Sequence, residues 1–425
     1  MADDVVTPAR ASAPQRGGDL RNYALVTGAY WTETLVDGAT RTLVLFYFDR
    51  LGYTPLQVAS LFVLYEIAGV LTNLVGGWLA ARLGLKITLF MGLAVQIVAL
   101  LMLGFAPASL LVVPYVMASQ ALSGVAKDLS KMSSKSAVKL VVPADDQSSL
   151  YRWVAILTGS KNALKGIGFF LGGLLLTLVG FRAAMVAMAA LVLAALIATS
   201  SLMHGHLGRP DKTAKFKQMF SNNRAVNVLA AARIFLFAAR DVWFVVALPF
   251  FLYTVVGWTF WQVGTLLAVW VIGYGAVQAV APRFVRRRGG EPDGRTAIWL
   301  ALGLTLCPVA IAVALDAHVD PTIAILGGLV PFGIAFAMNS AVHSYLILAY
   351  ADNDRVAMNV GFYYMANAGG RLAGTVLSGL IYEWQGLAAC LWTSGGFVLG
   401  AGLLSLLLPS ETSTSARPPR LPHAA

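Results

Sequence analysis

Twelve apolar runs, a low charge content and an internal duplication predict an all-α membrane protein of twelve transmembrane helices in two pseudo-symmetric six-helix halves. Of 425 residues, 58% are hydrophobic and 12% charged, about half the roughly 25% charged share of soluble domains. Runs of roughly 20 residues, the length that crosses a hydrocarbon layer, fall at 23–48, 56–80, 86–106, 110–133, 149–177, 181–203, 225–253, 261–284, 296–316, 322–349, 356–382 and 387–408.

The first run follows a polar segment, 1–22, and is too long for a signal-peptide core, so it is expected to stay in the mature protein. Lys and Arg gather in alternate loops: Arg82 and Lys86; Arg209, Lys212, Lys215, Lys217 and Arg224; Arg283, Arg286, Arg287, Arg288 and Arg295. The opposite loops offer little beyond Arg50 and Arg182. The positive-inside rule therefore predicts cytoplasmic termini in a bacterial inner membrane. The expected organisation is a tail at 1–22, a six-helix bundle at 23–203, a basic linker at 204–224, a second bundle at 225–408 and a tail at 409–425. The net charge of +11 is spread over short loops instead of forming one basic face, which argues against nucleic-acid binding. Cys307 and Cys390 lie in separate runs without metal-ligand spacing, so neither a metal nor a cofactor is expected.

The halves repeat one another. Leu51-Gly52-Tyr53-Thr54 with Gln57-Val58 recurs as Val256-Gly257-Trp258-Thr259 with Gln262-Val263, and Lys165-Gly166-Ile167-Gly168 through Gly173 and Gly180 recurs as Arg371-Leu372-Ala373-Gly374 through Gly379 and Gly386. A duplicated six-helix unit, with a substrate site between the halves, is the architecture of the major facilitator superfamily. The loop Gly77-Trp78-Leu79-Ala80-Ala81-Arg82-Leu83-Gly84-Leu85-Lys86 resembles that superfamily's signature between helices 2 and 3. Ala81 stands where the signature usually has Asp, which calls into question the gating salt bridge attributed to that Asp.

Cations inside the runs locate the function. A charge at bilayer depth costs roughly 2.5–3.5 kcal/mol even on lenient scales, so Lys127, Lys161, Lys165, Arg233, Arg240 and Arg371 each need a partner or a wet cavity. On the first helix Glu33, Asp37 and Arg41 stack on one face. They read either as a proton site, with Glu33 farther from Arg41 and so the better carrier, or as a self-neutralising ladder. Glu66 on the second helix is a further proton-carrier candidate. On the fourth, Lys127 lies within the run. Lys131, Lys135 and Lys139 read as end charges that snorkel, and Asp128, turned about 100° from Lys127, is expected to seek another helix.

Lys161 and Lys165 lie one turn apart at mid-depth on the fifth helix, with no acid a turn away. Since Lys165 corresponds to Arg371, and Asn162 lies close to the counterpart of Asn367, matched cations from the two halves are expected to clamp a phosphate-like group, Arg371 bidentately. Ion pairing with Glu66 or Asp37 stays open as the alternative. On the seventh helix Arg233 and Arg240 share a face and Asp241 turns away. His343, a turn from Asn339 on the tenth, reads as a packing residue or a proton carrier.

The stretches Leu122-Ser123-Gly124 through Lys127-Asp128 and Lys131-Met132, Leu157-Thr158-Gly159-Ser160-Lys161-Asn162-Ala163-Leu164-Lys165-Gly166, and Arg240-Asp241-Val242-Trp243-Phe244-Val245-Val246-Ala247-Leu248-Pro249 resemble the ArsJ family of organoarsenical efflux permeases. Similarity covers nearly all of 23–408, including Thr72-Asn73-Leu74-Val75-Gly76-Gly77-Trp78. The resemblance implies export of 1-arseno-3-phosphoglycerate, the unstable ester made by glyceraldehyde-3-phosphate dehydrogenase when arsenate replaces phosphate, and hence arsenate resistance. The dehydrogenase would be a functional partner as the source of substrate. An excess of cations suits this small organic anion, whereas trivalent arsenic favours thiolate clusters. Export in exchange for protons by a monomer in the lipid bilayer is the leading expectation. Export of another phosphorylated metabolite or organic anion is the alternative. A receptor is disfavoured by the absence of a signalling domain, and an enzyme by the absence of a nucleophile-base pair.

Overall fold

The computed structural model describes residues 16–53, 61–143, 146–204, 207, 223–285, 291–351 and 355–409. Every regular element among them is helical: α1 (Arg16–Arg50), α2 (Val63–Leu83), α3 (Leu85–Phe105), α4 (Val113–Val141), α5 (Gln147–Leu178), α6 (Gly180–Leu202), α7 (Arg224–Phe244), α8 (Ala247–Thr254), α9 (Phe260–Val285), α10 (Gly294–Asp316), α11 (Pro321–Tyr350) and α12 (Val356–Ser405), with one short 3-10 turn at Ala108–Leu110. The tails at 1–15 and 410–425, most of the linker, Thr54, Gln57, Val58 and the basic run Arg286 to Arg288 lie outside the described residues.

Side-chain caps start several helices. Asp146 accepts from the Ser149 amide at α5, Asn223 from Ala225 and Val226 at α7, and Asp320 from Ile323 at α11, where Pro321 suits the first turn. At α10, Asp293 and Thr296 form a reciprocal capping box. The expected span 225–253 is broken between α7 and α8. Pro249 has no N–H to offer the carbonyl four residues back, at Val245, and the Ala247 amide donates to the Ser378 hydroxyl at 3.1 Å. The last two expected spans are arms of α12 about Gly386 (φ 74°).

The duplication extends to the backbone. Gly52 (φ 82°) and Gly257 (φ 79°) are 205 residues apart, and Gly180 (φ 78°) and Gly386 (φ 74°) 206 apart. All four occupy the left-handed region that glycine enters without a Cβ penalty. Packing repeats too. A Cβ on Gly168 of α5 would stand 3.1 Å from the Ala39 nitrogen of α1, and one on Gly374 of α12 would stand 2.9 Å from the Ala238 Cα of α7.

Among the described residues eight stretches are long and apolar enough to cross a membrane, α7 and α8 together forming one of them (Arg224–Thr254), and the chain is a multi-pass membrane protein. Outside that set are α1, α4 and α5, whose apolar character is interrupted by Glu33, Asp37 and Arg41, by Lys127, Asp128, Lys131 and Lys135, and by Lys161 and Lys165. Such helices tolerate burial in a bilayer only by turning those groups toward protein or water.

The halves meet closely at the end carrying Arg82, Lys86, Lys139, Arg283 and Arg295, here the basic end. A Cβ on Gly77 of α2 would stand 2.9 Å from the Gly361 Cα of α12, and one on Gly159 of α5 would stand 2.5 Å from the Ala279 nitrogen of α9. Lys139 of α4 donates to the Leu348 carbonyl at 2.7 Å and to that of Ala351, both at the end of α11. Lysine there also meets the negative pole of the helix. Tyr345 donates to Gln147 across the same seam, its ring 5.1 Å from Tyr151. The buried core of the N-terminal half continues through these tyrosines, Leu346, Tyr363 and Val226, so this end is dry. A second apolar core around Trp243, Phe332 and Phe336 fills the C-terminal half.

Candidate functional site

Two homologous ion pairs form the frame of the site. Lys165 of α5 donates to Asp37 of α1 at 2.9 Å, and Arg371 of α12 donates to Asp241 of α7 at 3.2 Å. Lys165 and Arg371 are 206 residues apart, Asp37 and Asp241 204 apart, so each half builds the same bridge between its first and fifth crossing segments. Asp37, 3% exposed, also accepts from the Tyr65 hydroxyl at 2.5 Å. Asp241, fully buried, also accepts from Arg240 at 2.5 Å. The guanidinium of Arg240 is held between the rings of Phe237 and Phe336, 4.9 and 5.5 Å from their centroids.

A third carboxylate links the halves. Glu66 of α2 accepts from Arg41 at 2.6 Å and lies 3.7 Å from Arg371 of the opposite half. Arg41 and Lys127 both sit against the Tyr65 ring, at 4.5 and 3.9 Å. Among the described residues Lys127 and Lys161 have no carboxylate within ion-pair distance, and Lys161 lies within electrostatic reach of Lys165, Lys131, Arg371 and Lys127. Cations of both halves thus converge on one inter-half space with carboxylates committed to only some of them. Such a space attracts an anion and repels a cation.

Several expectations need correction. Lys165 and Arg371 do come from matched positions, but both are engaged by acids, so the open alternative of an ion pair with Asp37 is what occurs at Lys165. The Glu33, Asp37 and Arg41 ladder does not neutralise itself: Asp37 turns to Lys165 and Tyr65, Arg41 crosses to Glu66, and neither carboxyl oxygen of the fully buried Glu33 has a hydrogen-bond partner among the described residues. Asp241 does not turn away from Arg240, because the long arginine side chain curls back to its neighbour's carboxylate. Asp128 pairs within its own helix, with Lys131 at 2.6 Å. Lys135 does not snorkel: it is 3% exposed and donates to the Thr158 hydroxyl of α5. The reason is that α4 runs on to Val141, two turns beyond the expected limit, with protein around it.

Arg233 is likewise 3% exposed, donating to Asn367 at 2.9 Å and to the Ser340 carbonyl at 3.4 Å. His343 is 1% exposed, beside the fully buried Asn339. Tyr65 touches Asp37, Arg41 and Lys127, yet it carries no charge and no sequence signal singles it out beside Glu66. The equivalence of Asp37 and Asp241 was available as a signal in the duplication, extended to the first helix of each half.

Residues 26–341, well over half of the chain, match the Major Facilitator Superfamily. The chain belongs to that superfamily. No curated protein matches it by sequence. Among solved structures it is similar to a bacterial homologue of the iron transporter ferroportin in an outward-facing state (TM-score 0.71, 14% identity, covering 91% of this chain and 98% of that one). It is similar also to the human organic anion transporter MFSD10 (TM-score 0.71, 15% identity, 90% and 99%) and to the E. coli fucose:proton symporter FucP (TM-score 0.70, 11% identity, 92% and 98%). At these identities the likeness shows the fold alone. As a major facilitator superfamily member the protein is a secondary transporter of a small molecule across a membrane, not an enzyme.

Proposed function

We propose that this superfamily member is an ArsJ-type permease of a bacterial inner membrane that exports 1-arseno-3-phosphoglycerate and so confers arsenate resistance. The observation that carries the reading is the convergence of Lys127, Lys161, Lys165, Arg240 and Arg371 on one space, with Lys127 and Lys161 unpaired by any described carboxylate. The ester offers phosphate, carboxylate and arsenate charges to such a set, and Arg371 can exchange part of its Glu66 contact for an oxyanion. Glyceraldehyde-3-phosphate dehydrogenase supplies the substrate, and a monomer suffices for the site.

With segments 1–22, 204–224 and 409–425 in the cytoplasm, the basic end is the cytoplasmic one, and the close packing there supports an outward-facing reading. Arsenic accumulation in everted vesicles tests the cargo. Uptake should require arsenate, glyceraldehyde 3-phosphate, NAD and the dehydrogenase together; uptake from arsenate alone would remove the ester as cargo. Competition by other phosphorylated metabolites or organic anions, which the same cations suit, separates the alternative.

Proton exchange is assigned to Glu33, which among the described carboxyls clustered with these cations is the one that can gain and lose a proton without breaking an ion pair. Glu33→Gln should keep anion counterflow within about two-fold of wild type but lose accumulation driven by a pH gradient, since one unit of pH is worth about 1.4 kcal/mol per proton. Gradient-driven accumulation at the wild-type level in the variant removes Glu33 as the carrier. Lys161→Met should cut ester uptake on the order of 100-fold, the loss of a charge-assisted contact of about 3 kcal/mol, without lowering thermal stability, because Lys161 neutralises no described carboxylate.

A further inference from the structure

Seven residues from Arg240 toward the basic end, about 10 Å along α7 at the helical rise, Arg233 meets neutral partners: Asn367, the Ser340 carbonyl and the rings of Phe237 and Tyr363 at 4.0 and 5.2 Å. From the other half comes Lys135, which donates to Thr158 and whose charged neighbours are Arg233 and Lys131. Each is 3% exposed, and among the described residues neither has a carboxylate within ion-pair distance. Two buried cations that repel one another are unfavourable without a counter-charge.

A second observation points to the same place. Asn339 and His343 flank Ser340 on α11, one turn apart on the side adjoining α7, where Phe336, a turn earlier, packs on Phe237. Among the described residues, both amide atoms of Asn339 and Nδ1 of His343 have no hydrogen-bond partner, and the two side chains are 0% and 1% exposed. Buried polar atoms in native proteins are generally satisfied.

We propose that Arg233 and Lys135, with Asn339 and His343 as neutral donors, form a second anion station for a compact oxyanion of the phosphate and arsenate class. The inference rests on the reading of this chain as an anion transporter. It adds that the anion passes through two stations, the central one and this one, which receives the oxyanion group when the basic end opens. Its two cations come from opposite halves, so an anion there screens their repulsion and favours closure of that end.

Inorganic phosphate is the probe, with equilibrium dialysis and thermal unfolding of the purified full-length protein in lipid nanodiscs as readouts. Wild type should bind two phosphates. The Lys161→Met/Arg371→Gln variant should bind one, and adding Lys135→Met and Arg233→Gln should abolish binding. Lys135→Met alone should unfold at a higher temperature than wild type in phosphate-free buffer and lose at least half of the phosphate-induced rise. Binding unchanged by Lys135→Met/Arg233→Gln, no binding in Lys161→Met/Arg371→Gln, or destabilisation by Lys135→Met with a full phosphate response would each overturn the station. Failure of the vesicle assay with the ester would instead count against the cargo alone, since phosphate binding is measured without transport.

Discussion

Replacing Asp241 with alanine should destabilise the protein by about 3–5 kcal/mol, the usual cost of leaving a buried charge without its partner. Asp241 is fully buried and receives both Arg240 and Arg371, so its loss leaves Arg240 without a described carboxylate and Arg371 with only its longer 3.7 Å approach to Glu66. Total stabilities of about 5–15 kcal/mol make that a large fraction, and the variant should aggregate or elute early when extracted in detergent. Asp37→Ala should behave similarly through Lys165, with part of the loss recovered in Asp37→Leu/Lys165→Met, where both charges leave together. Transport should not return in that double variant, because the cation has gone. Wild-type melting of Asp241→Ala would show that these bridges are not structural, and would return Lys165 and Arg371 to the role of open ligand contacts.

Closure of the basic end should fail in Gly159→Leu. The obstacles to a side chain there are the nitrogen and Cβ of Ala279, which lie 2.5 and 2.7 Å from where a Cβ on Gly159 would stand, and a rotamer change cannot move backbone. A Cβ on the reciprocal glycine, Gly275, would stand 2.5 Å from the Ala163 nitrogen, so the two helices touch through their backbones. Overpacking costs typically 1–3 kcal/mol, which shifts a two-state balance by roughly 5- to 150-fold. Spin labels on the exposed positions Arg82 and Arg295, one in each half, should report a longer distance in Gly159→Leu than in wild type, and transport should fall as the closed state is lost. An unchanged distance distribution would mean that α5 and α9 do not form a gate.

Much of the architecture was legible in the chain because its causes are local. The length of an apolar run acts within one segment, whereas the break at Pro249 inside the expected span 225–253 and the left-handed turns at the repeated glycines emerged only in the structure. The duplication was legible for the same reason, and correctly paired Lys165 with Arg371. The acidic partners were less so: Asp37 and Asp241 occupy equivalent places, but local spacing assigned Asp37 to Arg41 and directed Asp241 away from Arg240. Depth was misjudged at Lys135, because α4 continues to Val141 and neighbouring helices cover the extension.

The sequence by itself determined that this protein crosses a membrane repeatedly, that its halves are copies, and that both carry cations in their interiors. Hydropathy, helical rise and repetition suffice for these, being properties of one segment at a time. Only the tertiary structure decided which acid each cation takes, that Lys127 and Lys161 have no such acid among the described residues while Lys165, Arg240 and Arg371 do, and that Lys135 and Arg233 are buried across a seam. Charge pairing depends on distances of about 3–4 Å between helices far apart in sequence, and a long flexible side chain can reach several acids from one backbone position.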